Sequence, residues 1–404
     1  MSQEYCILIH YHEIALKGKN RKWFESQLIK NIKLQLNGLP YSKINLSSAR
    51  IFCFGIDSLL WEEYSNRLNK IIGVKYSILV SQIKNEIELI KTISEFELKN
   101  EKFSSFRISA RRQHKDYHLT SQEVNAIIGQ HIQSVFLKPV DLDNADINLI
   151  IEIVKGMAYI GYKKISGYGG LPIKTGERAV SMISSGIDSP VASFKMLKRG
   201  VDLTYVHFHS SPATSQQSIQ NVEEILIVLS QYQIKCDIYM IPLLDIQQKI
   251  MSESPNKMWV ILFRRAMIKL SSMIAKKINA PALVSGESVG QVASQTLSNI
   301  RATSDATTLP IIRPLAGSNK EDIINIAEKI GTYEISIEPY DDCCSFFVPI
   351  HPETKANLEN VIEIEEKIDF NNLFIKAINE STVKSIQHPN YINNSNKKME
   401  PIND

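Results

Sequence analysis

The residues with the clearest chemical potential form the run SSGIDS at positions 184–189. An apolar stretch at 180–183 precedes this run, and a helix-like stretch at 190–197 follows it. A strand, a tight turn and a helix start direct several backbone N–H groups and a helix dipole at one point, and such a point binds phosphate oxygens. A P-loop would need GxxxxGK[ST], which the chain lacks. The sequence therefore predicts a phosphate-binding loop of another type at 184–189.

Three further segments contain candidate binding groups. Residues 285–296 follow another apolar stretch and offer glycines, amides and hydroxyls for a nucleobase or ribose, although a capped helix start also explains their first residues. Arg264 and Arg265 lie inside an apolar run, where cations require anionic partners such as ATP phosphate. His207 and His209 alternate on a predicted strand, but no CxxC or HExxH spacing indicates a zinc site.

The adjacent cysteines Cys343 and Cys344 lie in a polar, proline-containing segment. Such a pair suits the relay of a sulfane sulfur through a thiolate, and an ordinary surface pair is the alternative. The chain has five cysteines, an odd and scattered set that is not a disulfide framework. This usage fits a reducing cytoplasm.

Cations are concentrated in the first part of the chain. Residues 1–178 contain 25 Lys and Arg against 18 Asp and Glu, whereas residues 179–404 contain 21 against 25. The basic clusters lie at 17–22 and 111–115, the second in a loop predicted to follow a strand at 105–110. These clusters favour contacts with the phosphates of a folded RNA, and a solvated charged surface is the alternative.

The 404 residues are enough for two or three domains. Mixed strands and helices are predicted up to residue 162, among them a helix over 21–36 with Trp23, Leu28 and Ile32 on one face. The turn-rich segment GYGGLP at 167–172 predicts a linker, and the strand–helix units that follow it predict a doubly wound parallel sheet. No apolar run is long enough for a membrane span, and neither a signal peptide nor an anchor is expected.

Eight segments together resemble the tRNA 4-thiouridine synthetases, the tRNA sulfurtransferases of the thiamine-biosynthesis type. They are ALKGKNR (15–21), SARRQHK (109–115), GYGGLP (167–172), SSGIDSPVA (184–192), HFHSSP (207–212), GESVGQVASQT (286–296), IIRPLAG (311–317) and TYEISIEPYDDCC (332–344). They occur in the family's order, and the resemblance extends from about residue 5 to residue 370.

This resemblance implies an α/β architecture of several domains. We expect a ferredoxin-like domain at 1–60, an α+β THUMP RNA-binding domain at 61–165, a linker at 166–172 and a PP-loop ATP pyrophosphatase domain at 173–386. A polar tail at 387–404 is expected to be disordered. Only some sixty residues follow Cys344, so the rhodanese domain of some family members is not expected.

The resemblance also implies functional residues. The ATP site is expected to contain Met182, Ile183, Ser184, Ser185, Gly186, Asp188, Ser189, His207, Phe208, Arg264, Gly286 and Gln295. The tRNA-binding residues would be Lys17, Lys19, Arg21, Arg111, Arg112 and Lys115. Asp188 would position Mg²⁺ or phosphate, and Cys344, favoured over Cys343, would carry a persulfide.

Two departures from the family pattern matter. Ser185 stands where glycine is usual, which adds a Cβ where backbone and phosphate approach closely. HYHE at 10–13 stands where an RYGE-like segment is usual, so we do not expect the family's basic contact at that place.

The implied reaction converts uridine 8 of tRNA to 4-thiouridine: ATP adenylates uracil O4, and a persulfide sulfur then replaces it. The implied cofactors and partners are ATP, Mg²⁺, tRNA and a cysteine desulfurase or other persulfide donor, with sulfur supply for thiamine thiazole as a further role and a homodimer left open. The alternatives are another PP-loop tRNA modification enzyme and an RNA-binding protein with an impaired ATP site. A minor alternative is an iron–sulfur route with ligands among Cys236, Cys343 and Cys344.

Overall fold

The structure is a computed structural model that describes residues 4–214, 216–339, 347 and 351–388. Cys343, Cys344 and residues 389–404 of the predicted tail lie outside the described residues. The chain divides into two compact units at the Pro172–Ile173 junction. Across the described ranges, no helix combines the length and the apolar character needed to cross a membrane.

The first unit is an α+β structure. Its strands are β1 (Glu4–Tyr11), β2 (Lys43–Ser47), β3 (Arg50–Phe54), β4 (Val74–Lys84), β5 (Phe106–Arg112), β6 (Ile147–Val154), β7 (Met157–Gly161) and β8 (Lys164–Ser166). Its α-helices are α1 (Arg21–Gln35), α2 (Trp61–Leu68), α3 (Ile87–Leu98) and α4 (Ser121–Phe136).

These strands form one sheet in the order β2-β3-β1-β4-β7-β6-β5, and β8 pairs with β4. The antiparallel pairing of β1 with β4 joins the two predicted N-terminal regions. Ile7 of β1 also shares a core with Tyr64 and Leu68 of α2, so residues on both sides of the predicted 60/61 boundary pack together. The domain bounds remain a prediction.

Helix α1 differs in one detail from the predicted pattern. Phe24, Leu28 and Ile32 are its buried apolar residues, at the i, i+4 and i+8 spacing of a single helix face. Trp23, which we expected on that face, is 53% exposed.

The second unit is an α/β structure. Its strands are β9 (Arg178–Met182), β10 (Asp202–His209), β11 (Lys235–Pro242), β12 (Leu283–Val284), β13 (Ile311–Ile312) and β14 (Thr382–Gln387). Its α-helices are α5 (Asp188–Leu197), α6 (Gln217–Gln233), α7 (Leu244–Glu253), α8 (Trp259–Lys277), α9 (Leu297–Ser304), α10 (Lys320–Ile330), α11 (Tyr333–Ser336), α12 (Leu358–Glu366) and α13 (Asn371–Asn379).

The strand order of the second sheet is β13-β12-β9-β10-β11-β14. The first five strands of this order are parallel, and β14 is antiparallel to β11. The predicted doubly wound parallel sheet is confirmed, with an additional antiparallel edge strand that the sequence did not reveal. After β9 the chain builds outward to β10 and β11, and then returns to add β12 on the other side of β9. This reversal creates a crevice at the carboxyl ends of β9 and β12, the usual place for a ligand in such sheets.

Candidate active site

A cavity of about 440 Å³ opens at the carboxyl ends of β9, β10 and β12. Its size is within the range of small-molecule sites. All of the predicted ATP-site residues except Ser185 line this cavity. The structure thus brings together residues that are up to 113 positions apart in the sequence, from Met182 to Gln295.

The predicted phosphate loop is closed by Ser189. The Ser184 N–H donates to Ser189 Oγ at 2.8 Å, and this hydroxyl donates to the Ser184 carbonyl oxygen at 3.1 Å. Helix α5 begins at Asp188, and no side chain among the described residues caps its start. Its first backbone N–H groups are therefore available to an anionic ligand.

Ser185 is fully buried and does not line the cavity. Its Oγ is buried and has no hydrogen-bond partner in the described part of the chain. The additional Cβ, which we expected at a close approach of backbone and phosphate, therefore does not narrow the cavity.

Gly286 brings the loop after β12 against the start of α5. A Cβ at this position would lie 2.8 Å from both the Cα and the N atom of Ser189. Both contacts are with backbone, which cannot rotate out of the way as a side chain can. Glycine is thus required here for the two halves of the crevice to meet.

Both carboxylate oxygens of Asp188 have partners. Asp188 Oδ1 accepts a hydrogen bond from Lys320 Nζ at 2.8 Å, and Oδ2 accepts one from Gln291 Nε2 at 3.0 Å. Sequence reasoning missed Lys320, which lies 132 residues away at the start of α10. Across the described ranges, no group of three or more His, Cys, Asp or Glu side chains could hold a metal ion.

His207 connects β10 to the end of β9. Its Nδ1 lies 3.0 Å from the Ile183 carbonyl oxygen, and its Nε2 lies 3.2 Å from Ser218 Oγ. Burial lowers the pKa of His207 to about 4, so the ring is neutral near pH 7. The neutral ring then donates a hydrogen bond from Nδ1 to the Ile183 carbonyl oxygen and accepts one at Nε2 from the Ser218 hydroxyl. These bonds hold the end of β9 beside β10, so that Ile183 and Phe208 form one apolar wall of the cavity.

Gln295 and Arg264 add polar groups to the other wall. Gln295 is 7% exposed, and its Oε1 has no hydrogen-bond partner among the described residues. Arg264 donates from a terminal guanidinium nitrogen to Glu287 Oε1 at 2.7 Å. Arg265 instead lies away from the cavity and binds Glu365 at 2.7 Å, so the two adjacent arginines have different roles.

The basic residues of the first unit are only partly accessible. Lys19, Arg111 and Lys115 are exposed, whereas Arg21 is bound to Glu25 at 2.7 Å. The Lys17 ammonium lies 5.0 Å from the centre of the Phe24 ring.

Arg111 and Arg112 both belong to the end of β5 rather than to the loop that we predicted there. The Arg112 guanidinium donates to the carbonyl oxygens of Tyr117 at 2.9 Å and Leu119 at 3.2 Å. Arg112 therefore holds the loop that follows β5.

The described cysteines are unsuited to sulfur relay. Cys6, Cys53 and Cys236 are buried. Burial raises the pKa of all three thiols, that of Cys53 to about 12. A reactive cysteine needs an accessible thiolate, so these three are structural. Their burial also argues against Cys236 as an iron–sulfur ligand.

A serine- and glycine-containing loop between strand and helix, at the switch point of a doubly wound sheet, defines a nucleotide-binding domain of the PP-loop class. Comparison with known sequences agrees: residues 6–78 match the ThiI ferredoxin-like domain, residues 84–163 the THUMP domain and residues 174–370 the thiamine biosynthesis protein (ThiI). The chain belongs to the ThiI family, as the resemblance predicted.

Curated relatives match along nearly their whole length. A probable tRNA sulfurtransferase of Caldanaerobacter subterraneus subsp. tengcongensis is 39% identical over 380 residues, which cover 94% of this chain and 99% of the relative. A probable tRNA sulfurtransferase of Listeria welshimeri is 37% identical over 377 residues, which cover 92% and 93%.

A solved structure is similar over the same extent. The crystal structure of a 4-thiouridine synthetase–RNA complex with bound ATP matches with a TM-score of 0.85 and 34% identity, over 95% of this chain and all of that one. PH1313 from Pyrococcus horikoshii, with a TM-score of 0.60 and 23% identity, shares the fold.

Proposed function

We propose that this chain is an ATP-dependent tRNA sulfurtransferase that converts uridine 8 of tRNA to 4-thiouridine. The observation that carries the proposal is the convergence of the predicted ATP-site residues on one cavity at the sheet's switch point. The names of the relatives and the RNA and ATP of the related crystal structure support the same activity.

The cavity offers each part of ATP a suitable environment. The apolar wall that contains Ile183 and Phe208 suits the adenine ring, and the unpartnered oxygen of Gln295 can accept a hydrogen bond from its amine or from ribose. The phosphates would lie at the loop 184–189, where the uncapped start of α5 supplies N–H donors and a positive dipole end.

The residues present also fit a Mg²⁺ ion that arrives with the nucleotide. Mg²⁺ commonly takes one or two carboxylates and completes its coordination with phosphate oxygens and water. Asp188 would be the protein ligand, and Lys320 would then turn from Asp188 towards the phosphates. Bound there, the ion would neutralise negative charge on the phosphates.

In the proposed reaction, uracil O4 attacks the α-phosphorus of ATP. The bond between the α-phosphorus and the bridging oxygen breaks, and pyrophosphate leaves. The N–H groups at the start of α5 would stabilise charge on the departing pyrophosphate. The product is an adenylated base, from which AMP can leave where oxide could not.

Sulfur transfer completes the exchange. The terminal sulfur of a Cys344 persulfide would attack C4, and AMP departs with the original O4. A thiol, from Cys343 or another donor, would then attack the cysteine sulfur of the C4–S–S–Cys link, which releases 4-thiouridine and leaves a disulfide. External thiols would reduce this disulfide before a cysteine desulfurase or another donor reloads the cysteine.

We place this reaction in the cytoplasm, where tRNA and reduced thiols are available. The same persulfide would supply sulfur for thiamine thiazole, the role after which the family is named. We also propose that the chain forms a homodimer.

The proposal is tested by release of pyrophosphate from ATP by the purified protein, with and without unmodified tRNA. We expect release that depends on tRNA. An RNA-binding protein with an impaired ATP site would release none, which would refute the enzyme proposal. Another PP-loop tRNA modification enzyme would release pyrophosphate without forming 4-thiouridine.

The cysteine assignment is tested by Cys344→Ser and Cys343→Ser in separate variants. We expect Cys344→Ser to retain RNA-dependent pyrophosphate release and to lose thiolation, because only the second half-reaction needs the thiol. Normal thiolation by both variants would refute the relay assignment.

A further inference from the structure

Glu287 lies at the edge of the cavity with both carboxylate oxygens bound to arginines. It follows Gly286 at the carboxyl end of β12, is 9% exposed and lines the cavity. Its Oε1 accepts a hydrogen bond from Arg264 at 2.7 Å, and its Oε2 accepts one from Arg313 Nε at 2.7 Å. One buried carboxylate thus separates two guanidinium groups.

The outer arginine anchors this arrangement to the fold. Arg313 directly follows β13, and its second terminal nitrogen donates to Ser304 Oγ at 2.8 Å. Ser304 is the last residue of α9, so the Arg313 side chain that binds Glu287 is itself fixed between the end of β13 and the end of α9. Arg264 belongs to α8 and reaches Glu287 from the cavity side.

Arg264 depends on Glu287 for its orientation. Among the described residues, Glu287 is the only hydrogen-bond partner of Arg264. Its Nε is buried and has no partner within that same part of the chain. A guanidinium held by one carboxylate at one nitrogen keeps its other N–H groups for a ligand.

We propose that Glu287 is a positioning residue that holds the Arg264 guanidinium towards the triphosphate of ATP. The inference deepens the proposed function and rests on it. An acidic side chain that strengthens ATP binding is the opposite of what charge alone predicts, because a carboxylate beside a polyanion should weaken binding by repulsion. The two arginines leave the cluster with a net charge of +1, and the carboxylate directs that charge.

The test is the affinity for ATP and for adenosine, measured by calorimetry with the full chain and its Glu287→Gln variant. If Glu287 positions Arg264, the dissociation constant for ATP should be about tenfold or more higher in the Glu287→Gln variant, because a charge-assisted hydrogen bond is lost. Adenosine has no phosphates, so its affinity should stay within about twofold of the unmodified chain.

Glu365→Gln provides a matched control. Glu365 is also a buried carboxylate between two cations, Arg265 at 2.7 Å and Lys269 at 2.9 Å, but it lies outside the cavity lining. This variant should lower the melting temperature while it leaves the ATP-to-adenosine affinity ratio unchanged.

Unchanged or tighter ATP binding by Glu287→Gln would overturn the inference, since it would mean that charge repulsion outweighs orientation. Equal losses for ATP and adenosine would also overturn it, because they would indicate general damage to the fold. If Glu287→Gln does not fold, Glu287→Asp keeps the charge and shortens its reach, and the same selective loss of ATP affinity is expected. The ATP affinities are measured without RNA, so they decide the role of Glu287 even if the chain binds ATP but does not modify tRNA. That last result would refute the proposed reaction alone.

Discussion

Gly286→Ala perturbs the crevice at its tightest point. The added Cβ would lie 2.8 Å from Ser189 Cα and N, whereas ordinary contacts begin at 3.4 Å. The loop after β12 and the start of α5 must therefore separate by about 0.6 Å, the difference between these distances. Overpacking of this kind costs about 1–3 kcal/mol.

The displaced atoms belong to the proposed phosphate site, so catalysis should suffer more than stability. A misplacement of about 1 Å can cost about 10²-fold in rate, and we expect kcat/KM for ATP to fall about 10- to 100-fold. The melting temperature should fall by about 2–12 °C, as expected for a loss of about 1–3 kcal/mol in a domain of this size. RNA-dependent pyrophosphate release and thermal unfolding measure the two effects.

Gly317→Ala is the matched control, since a Cβ there has no neighbour within 4 Å. It should leave both measurements unchanged. If Gly286→Ala kept the kcat/KM of the unmodified chain, the close contact with Ser189 would not matter for catalysis. Equal losses of activity in both variants would also contradict a specific role for this contact.

Three further predictions concern other parts of the molecule. Burial lowers the pKa of His207 from 6.5 to about 4, so the unfolded chain binds the proton more readily than the folded chain. The free energy of unfolding should therefore fall by about 3 kcal/mol as the pH drops from about 6.5 to 4. Urea unfolding of His207→Gln should lack this share of the pH dependence, and an unchanged slope of the unfolding free energy against pH would contradict a neutral buried ring. Ser185→Ala removes a hydroxyl that has no partner among the described residues, so the KM for ATP should change less than about threefold, and a tenfold change would place Ser185 in the site after all. Joint replacement of Arg111 and Lys115 by Ala should weaken tRNA binding without changing ATP binding. The slope of the logarithm of the tRNA-binding constant against the logarithm of salt concentration should become smaller by about 0.7–0.9 per lost phosphate contact. An unchanged slope would mean that neither residue contacts the RNA.

The sequence predicted the parts of the fold that depend on local pattern. The loop 184–189 was recognisable because a strand, a turn and a helix start follow one another within a few residues. The parallel sheet followed from regular strand–helix alternation. Helix α1 was predicted, but the choice between Trp23 and Phe24 as its buried aromatic residue depends on a rotation that adjacent residues do not fix.

Contacts between distant segments were not predictable in the same way. The Asp188–Lys320 pair joins residues 132 positions apart, and nothing in the sequence around Lys320 distinguishes it from a solvated lysine. The sequence indicates only that Glu287 lies in a polar segment, since its two arginine partners contact it only in the folded protein. Strand β14 is mostly exposed, so it has no apolar alternation that would indicate a strand.

We propose that one chain couples ATP cleavage to sulfur insertion in tRNA. The most direct test of this coupling is to incubate the purified protein with unmodified tRNA, ATP, Mg²⁺ and a cysteine desulfurase with cysteine, and to measure AMP together with the near-ultraviolet absorbance of 4-thiouridine. We expect one AMP for each 4-thiouridine formed and neither product when ATP is omitted. Thiolation without ATP, or AMP without thiolation in the complete mixture, would contradict the claim.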